Sequence, residues 1–294
     1  MIYNKDKKMA GKDRYAVFGC PIKHSKSPRI HQLFAEQTQQ SLEYTAQEVP
    51  AERFRESVTG FFSRGGKGLN CTLPLKELAW AFADLTTKRA ELSRAVNTLV
   101  IQDDDRILGD NTDGCGLITD LKANHGISLK DSRILILGAG GACRGILAPI
   151  LENSPHHLIL ANRTRQRASD LAAEFCILGD IEACDFADLK GQQFDLIINA
   201  TSASLNDQLP PLADDLLARE GVCYDLAYGN KPTSFVRWGM DNNAKKSLDG
   251  LGMLVEQAAE AFFLWRGIRP QTKPVIDVLH SARRFVSGVL GIRR

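Results

Sequence analysis

The chain has 294 residues, of which 44% are hydrophobic and 24% charged, and its formal net charge is +2. This length allows two domains with ample cores, and the composition is typical of globular proteins. A nearly neutral chain without long blocks of like charge argues against nucleic acid or a membrane surface as the main partner. The sequence contains no run of about 18 uncharged apolar residues, so it predicts no transmembrane helix.

The seven cysteines are scattered, with no Cys-x-x-Cys pair and no metal-ligand spacing. They indicate reduced thiols, so we expect a cytoplasmic protein without a metal site. Residues 1–13 contain lysines but no apolar run after them. This pattern predicts a disordered leader and not a signal peptide.

The chain then opens with a predicted strand over residues 15–18 and a polar loop that leads into a helix. Ser27 followed by Pro28 has the pattern of an N-cap and a first helical residue. The hydroxyls of Ser25 and Ser27 would also suit a carboxylate ligand at a helix N-terminus. The residues alone leave both roles open.

A strand over 42–49 and a helix over 50–63 are predicted next, and then a glycine-rich loop, a short strand and a turn that place Lys76 at the start of a helix. A lysine there does not complement the helix dipole. A solvated lysine is the ordinary interpretation. A lysine held near an acid could instead donate or accept a proton.

A polar turn precedes the second half of the chain. We predict a strand over 94–101, a hairpin partner over 107–109, and a helix over 117–123 after the turn at 110–114. Asp113 in this turn is either a cap or a functional group in a cleft between two domains.

The central segment predicts a strand, a glycine turn and a helix. Four apolar residues at 134–137 precede Gly138 and Gly140, and a helix is expected over 142–151. The dinucleotide fingerprint is matched only in part, because Cys143 stands where a third Gly or Ala is usual. A further strand over 157–161 and a helix over 164–175 complete a βαβα run, which favours dinucleotide binding over an ordinary turn.

The residues after that second strand favour NADP over NAD. Arg163, Arg165 and Arg167 follow it, and no acid comes before Asp170. NAD-binding folds usually place an acid there, whereas arginine suits the 2′-phosphate of NADP. The alternative is a solvated first helical turn.

Two later strands, over 194–200 and 221–226, are expected to point their carboxyl ends at the cofactor. Ligands bind beyond those ends in open α/β sheets, so we expect Asn199, Thr201, Leu226 and Tyr228 to face it. The second domain is expected to end at 247–250.

Two apolar helices, over 253–265 and 275–286, complete the chain. They are expected to pack back onto the first domain, because faces this apolar must be buried. Gln257 in the first of them is either a satisfied core amide or a substrate contact.

Eight short motifs resemble the shikimate dehydrogenase family in the order in which that family carries them. They are Ser25-Lys26-Ser27-Pro28, Asn70-Cys71-Thr72 with Pro74 and Lys76, Ala95-Val96-Asn97-Thr98, Asn111-Thr112-Asp113-Gly114, Gly138-Ala139-Gly140-Gly141-Ala142, Asn162-Arg163-Thr164, Asn199-Ala200-Thr201-Ser202 and Gly250-Leu251-Gly252-Met253 through Gln257. The resemblance extends over residues 15–286.

The resemblance implies NADPH-dependent reduction of 3-dehydroshikimate to shikimate, a step in chorismate and aromatic amino acid synthesis. The implied α/β fold has a substrate domain at 14–112 and 251–294, and a Rossmann-like NADP(H) domain at 113–250. Lys76 and Asp113 would form the catalytic pair. Hydride transfer to a ketone leaves an oxyanion, which an ammonium held by a carboxylate can stabilise and protonate.

The resemblance also assigns the remaining site residues. The substrate would be held by Ser25, Ser27, Thr72, Asn97, Tyr228 and Gln257. The cofactor would be held by Gly138, Ala139, Gly140, Gly141 and Ala142 at the pyrophosphate, by Arg163 and Arg167 at the 2′-phosphate, by Leu226 and Gly250 beside the nicotinamide, and by Asn162, Thr164 and Thr201. No metal is implied.

Three departures from the family pattern bear on the cofactor loops. Ser204-Leu205 replaces a usual glycine, residues 231–234 replace a usual Thr-Pro, and Leu226 stands where some relatives carry methionine. Two other functions compete: a dehydrogenase that also accepts quinate or NAD, and a catalytically silent module that senses NADP or a pathway intermediate. We expect a small-molecule substrate, and a monomer or homodimer.

Overall fold

The computed structural model describes residues 11–290, with side chains up to residue 283. The strands in this range are β1 (Asp13–Gly19), β2 (Leu42–Glu48), β3 (Gly66–Cys71), β4 (Leu85–Thr86), β5 (Thr98–Ile101), β6 (Ile107–Asp110), β7 (Arg133–Leu137), β8 (His157–Ala161), β9 (Ile181–Cys184), β10 (Phe194–Asn199), β11 (Leu217–Asp225) and β12 (Lys246–Asp249). The α-helices are α1 (Ser27–Thr38), α2 (Phe54–Ser63), α3 (Lys76–Phe82), α4 (Lys88–Ser93), α5 (Asp113–Thr119), α6 (Gly141–Leu151), α7 (Arg165–Phe175), α8 (Ser234–Asp241), α9 (Leu251–Arg266) and α10 (Lys273–Leu290).

The strands form two six-stranded sheets, which confirms the predicted α/β class. The first has the order β2-β1-β3-β5-β6-β4, with β5 antiparallel to both of its neighbours, β3 and β6. The second is parallel throughout, with the order β12-β11-β10-β7-β8-β9. This is the strand order of the doubly wound dinucleotide-binding fold. From β7 the chain adds strands first toward one edge of the sheet and then, from β10 onward, toward the other.

The last two helices return to the first sheet, as predicted. Leu251, Val255 and Phe262 of α9 share one buried cluster with Ile30 and Phe34 of α1. Residues of α10 join the same cluster. None of the helices in the described part of the chain is long and apolar enough to cross a membrane.

Glycines allow the helices beside the polar turn to approach closely. A Cβ at Gly116 of α5 would lie 2.7 Å from the Cβ of Gln257 in α9. A Cβ at Gly114 would lie 2.8 Å from the carbonyl oxygen of Gly145 in α6. A side chain at either position would push α5 away from its neighbours, so these glycines fix where α5 begins.

Several predicted boundaries were wrong. Residues 1–10 of the predicted leader lie outside the described residues, whereas Asp13 is already in β1. The predicted strand over 94–101 begins only at Thr98, because Arg94 ends α4 in a left-handed conformation with φ 46°. The helix predicted over 117–123 begins at Asp113 and continues as a π-helical turn over 120–124.

Candidate active site

The geometry centres on Lys76 and Asp113, which begin two different helices. Lys76 is the first residue of α3 and Asp113 the first of α5. Lys76 Nζ lies 2.5 Å from Asp113 Oδ2, and their side chains are 22% and 9% exposed. The structure therefore brings together the lysine and an acid 37 positions further along the chain, in a site that remains open to a ligand at the lysine.

Asn97 and Gln257 complete the surroundings of the Asp113 carboxylate. Asn97 Nδ2 donates to Asp113 Oδ1 at 2.8 Å and to Gln257 Oε1 at 3.3 Å. Thr112 Oγ1 also donates to Gln257 Oε1, at 3.3 Å, while Gln257 Nε2 donates to the Leu254 carbonyl. Gln257 is therefore a satisfied amide that also borders the site, so neither of its two predicted roles is excluded.

The turn before Asp113 is held by an ion pair between the partly exposed Arg89 and the buried Asp110. Arg89 donates to both carboxylate oxygens of Asp110, from Nε at 2.7 Å and from Nη2 at 2.5 Å. Asp110 is 1% exposed and accepts the backbone N–H of Asn111. Asn111 Oδ1 in turn accepts the backbone N–H of Asp113 at 3.1 Å. These bonds hold the first turn of α5, and the predicted site did not include Arg89 or Asp110.

The polar loop at residues 22–27, called the serine loop below, differs in detail from its predicted capping role. The helix begins at Ser27 itself, and Ser25 Oγ accepts the Ser27 backbone N–H at 3.3 Å. Ser27 is therefore not the N-cap, and its hydroxyl bonds instead to the phenol of Tyr44. Burial raises the pKa of Tyr44 well above its ordinary value, so the phenol stays protonated and donates to Asn70 Oδ1 at 2.7 Å.

Asn70 links the serine loop to the surroundings of Asp113. Its Nδ2 donates to the Asn97 carbonyl and to Thr98 Oγ1, both at 3.0 Å. Thr98 Oγ1 donates to Asn97 Oδ1 at 2.8 Å. Tyr44 and Asn70 were missing from the predicted site, although the side-chain alternation of β3, continued one residue past its end, puts Asn70 and Thr72 on the same face.

Thr72 packs against β1, and Tyr228 contacts the serine loop. A Cβ at Gly19 would overlap the Thr72 methyl group, so that glycine allows Thr72 to pack against β1. Tyr228 accepts a hydrogen bond from the backbone of Lys26 in the serine loop, and burial raises its pKa. The loop after β11 therefore contacts the serine loop.

The glycine turn between β7 and α6 has the shape of a phosphate cradle. Gly138 has φ 101°, and a Cβ there would lie 3.0 Å from Thr201 Cγ2. Beyond its own chain neighbours, no described heavy atom lies within 4 Å of the position a Cβ would take at Gly140. Open space in front of the α6 N-terminus fits a pyrophosphate, which helix N-termini attract.

The helix that follows the glycine turn lies beside Asp113 and α3. A Cβ at Gly145 in α6 would lie 3.4 Å from Asp113 Oδ2, and one at Gly141 would lie 3.9 Å from Glu77 Oε1, next to Lys76. Ala139 and Ala142 belong to the same turn. The chemistry of this donor set and its position suit a dinucleotide whose reactive end reaches Lys76.

The basic segment after β8 is exposed to solvent. Arg165 pairs with Asp188 at 3.3 Å. In the described part of the chain, Arg163 and Arg167 form no ion pair, so both guanidinium groups are available to an anion. Asn162 Nδ2 donates to the Thr164 carbonyl at 2.9 Å, which fixes the turn that carries Arg163.

The loops after β10 and β11 correct one expectation. Asn199 does not face the cofactor, because it is fully buried and its amide bonds to Thr201 and Asp225. Leu226 is partly buried beside it, and a Cβ at Gly250 would overlap the Leu226 carbonyl. Only glycine at 250 allows the start of α9 to approach this loop.

Comparisons with known proteins agree with this arrangement. Residues 17–99 match the shikimate dehydrogenase substrate binding domain, residues 120–207 match shikimate / quinate 5-dehydrogenase, and residues 250–280 match the shikimate 5′-dehydrogenase C-terminal domain. Shikimate dehydrogenase (NADP(+)) of Methylococcus capsulatus is 60% identical over 276 residues, which are 94% of this chain and 99% of that protein.

Two solved structures are similar over nearly their whole length. An Ael1 enzyme from Pseudomonas putida is 47% identical with a TM-score of 0.84, and the match covers 91% of this chain and 98% of that one. Shikimate 5-dehydrogenase from Thermus thermophilus, in complex with NADP(H) and shikimate, is 35% identical with a TM-score of 0.80. That match covers 92% of this chain and 98% of the other.

Proposed function

The chain belongs to the shikimate dehydrogenase family, and on that premise we propose that Lys76 and Asp113 are the acid-base pair of an NADP(H)-dependent interconversion of 3-dehydroshikimate and shikimate. The reaction is an oxidoreduction at a CH–OH group in the shikimate pathway. The 2.5 Å contact between Lys76 Nζ and Asp113 Oδ2 carries the proposal, because the chemistry needs a proton donor that is held in place.

The pair acts on the oxygen of the reacting carbon. NADPH, when bound, supplies the hydride equivalent that turns the ketone into an alcohol. Lys76 stabilises the negative charge that develops on the ketone oxygen and donates its proton there. Asp113 keeps the ammonium oriented, and Asn97 holds the other oxygen of Asp113, so the carboxylate cannot rotate away. In shikimate oxidation Lys76 takes the proton back.

The substrate carboxylate is assigned to the serine loop. Ser25 and Ser27 lie at the N-terminus of α1, where the helix dipole favours an anion. Tyr228 borders this loop from the other side of the cleft. Thr72, Asn97 and Gln257 are then left for the ring hydroxyls.

The cofactor is assigned to the second sheet. The glycine turn from Gly138 to Ala142 would hold the pyrophosphate, and Arg163 and Arg167 would hold the 2′-phosphate as bidentate donors. Leu226 and Gly250 would border the nicotinamide, with Thr201 beside the first glycine of the turn. Asn162 and Thr164 shape the turn on the adenosine side.

Lys76→Ala tests the assignment of the acid. We expect kcat for shikimate oxidation to fall about 100-fold or more, because positioned acid-base groups contribute that much. Calorimetric affinity for NADP should change little. Lys67→Ala, at an exposed lysine of β3, is the matched control. A Lys76→Ala variant with kcat close to that of the parent would remove Lys76 from the chemistry.

Quinate is the second candidate substrate, since the family description matched by residues 120–207 includes quinate dehydrogenases. Thr72 and the two arginines favour shikimate and NADP, although a single pocket contact can decide specificity. A quinate rate comparable to that with shikimate would broaden the substrate assignment without changing the acid-base pair.

We also propose the cellular and domain setting. The seven free cysteines fit a cytoplasmic protein. Residues 14–112 with 251–294 are assigned to substrate binding and residues 113–250 to the cofactor. The cleft between them is expected to close on ligand, in a monomer or homodimer.

A further inference from the structure

Two hydroxyl side chains from different loops meet at one buried carboxylate. Ser204 Oγ and Thr233 Oγ1 both donate to Asp225 Oδ2, each at 2.6 Å. Asp225 is the last residue of β11 and has no exposed surface. Ser204 and Thr233 come from different loops, so the carboxylate joins those loops.

The other oxygen of the carboxylate is equally engaged. Asp225 Oδ1 accepts from Asn199 Nδ2 at 3.1 Å and from the backbone N–H of Ala227 at 3.0 Å. All four donors are neutral. Burial raises the pKa of Asp225, and the same four hydrogen bonds oppose that rise. Hydrogen bonds to a carboxylate are stronger than those between neutral groups. The Asp225 carboxylate and its four donors therefore form a rigid junction between the loops after β10 and β11.

The junction controls the two loops that border the proposed nicotinamide site. Asn199 connects Asp225 to Thr201, because its Oδ1 accepts both the backbone N–H and the hydroxyl of Thr201, at 3.1 and 2.7 Å. Its carbonyl accepts the backbone N–H of Leu226 at 3.0 Å. Thr201 and Leu226 are cofactor residues in the proposed function, so each is connected to this junction through Asn199.

We propose that Asp225 is a positioning residue that fixes the loops at 199–204 and 225–233 around the nicotinamide half of the cofactor. The inference rests on the proposed function. It gives Ser204 and Thr233 a role in this chain: each adds a hydroxyl donor to the carboxylate and stiffens a loop. The adenosine half, assigned to the residues after β8, lies outside the influence of the junction.

Asp225→Asn is the direct test, because an amide has the same shape and can still bond to all four partners once the hydroxyls of Ser204 and Thr233 reorient. Titration calorimetry with two probes separates the binding contributions of the nicotinamide and adenosine halves of the cofactor. NADP+ contains the nicotinamide, whereas adenosine 2′,5′-bisphosphate contains only the adenosine half. We expect Asp225→Asn to weaken NADP+ binding about tenfold, the loss that follows when a charge-assisted bond becomes neutral, and adenosine 2′,5′-bisphosphate binding less than about twofold.

Ser204→Ala removes one of the four donors at a partly exposed position. It replaces Asp225→Asn as the test variant if Asp225→Asn does not fold. It should weaken NADP+ binding about threefold, with the other probe unchanged. Ser247→Ala is the matched control, because its hydroxyl donates to the Val236 carbonyl of α8 and not to the junction. It should alter neither probe.

The outcomes separate this inference from the proposed function. Equal loss of both probes, or no loss of either, in both variants would overturn the positioning role of Asp225. A parent protein that binds neither probe would refute the proposed function and the inference with it. Selective loss of NADP+ supports both.

Discussion

Asp113→Asn tests whether the acid of the pair works through its charge. Both partners of the Asp113 carboxylate are donors: Lys76 Nζ at Oδ2 and Asn97 Nδ2 at Oδ1. An amide has one oxygen, so either orientation sets its NH2 group against a donor. The variant loses a charged hydrogen bond and leaves one donor without an acceptor. Together these raise the activation free energy by about 3 kcal/mol, which corresponds to about a 100-fold lower kcat.

The assay is the initial rate of shikimate oxidation, followed by absorbance of the reduced nicotinamide, with KM for each substrate. We expect kcat to fall about 100-fold and KM for NADP to stay unchanged, because the residues proposed to bind the cofactor belong to the second sheet and its loops. Asp103→Asn makes the same change in the exposed turn between β5 and β6 and should be neutral. A kcat close to that of the parent, or a parallel loss of NADP affinity, would refute the pairing.

Three further predictions concern residues around the site. Replacing Arg163 and Arg167 by alanine should raise KM for NADP at least about tenfold and leave KM for NAD unchanged, whereas equal shifts would refute a 2′-phosphate clamp. Arg89→Ala should lower kcat up to about 100-fold by displacing the turn before Asp113. Millimolar guanidinium should restore part of that activity by entering the cavity of about 350 Å³ that Arg89 lines, and a failure to restore any would argue against the positioning role. Burial lowers the pKa of His31 in the folded protein to about 3. As the pH drops, His31 is therefore protonated in the unfolded chain before it is protonated in the folded one. The free energy of unfolding should fall by up to about 1.4 kcal/mol per pH unit below about pH 6.5. Denaturant unfolding of His31→Phe should show a flatter pH dependence, and an unchanged slope would contradict this.

Much of the architecture follows from local patterns in the sequence. The apolar run before Gly138 and the spacing to β8 predict the parallel sheet, because buried parallel strands are short apolar runs and glycine permits the turn. The apolar character of α9 predicts its return to the first domain. β9 and β12 were not predicted, because both contain polar residues and are recognisable only from pairing with their neighbours.

The motifs of the candidate site could be recognised in the sequence, whereas the residues that support Lys76 and Asp113 in the fold could not. Motif order identified Lys76 and Asp113, since the family carries them in recognisable segments. Arg89 and Asp225 carry no local signal: an arginine in a short helix and an aspartate at a strand end are ordinary. Their roles depend on partners that only the folded chain brings together, Asp110 for Arg89 and Ser204 for Asp225.

The most direct measurement combines the purified protein with shikimate or quinate and with NADP or NAD, and follows absorbance of the reduced nicotinamide in all four mixtures. Rapid reduction with shikimate and NADP, and slow or absent reduction in the other three, is the predicted result. Equal rates in all four would contradict the assignment of Arg163 and Arg167 and broaden the substrate class. No reduction in any mixture, with NADP still bound, would contradict the enzymatic function and favour a sensor.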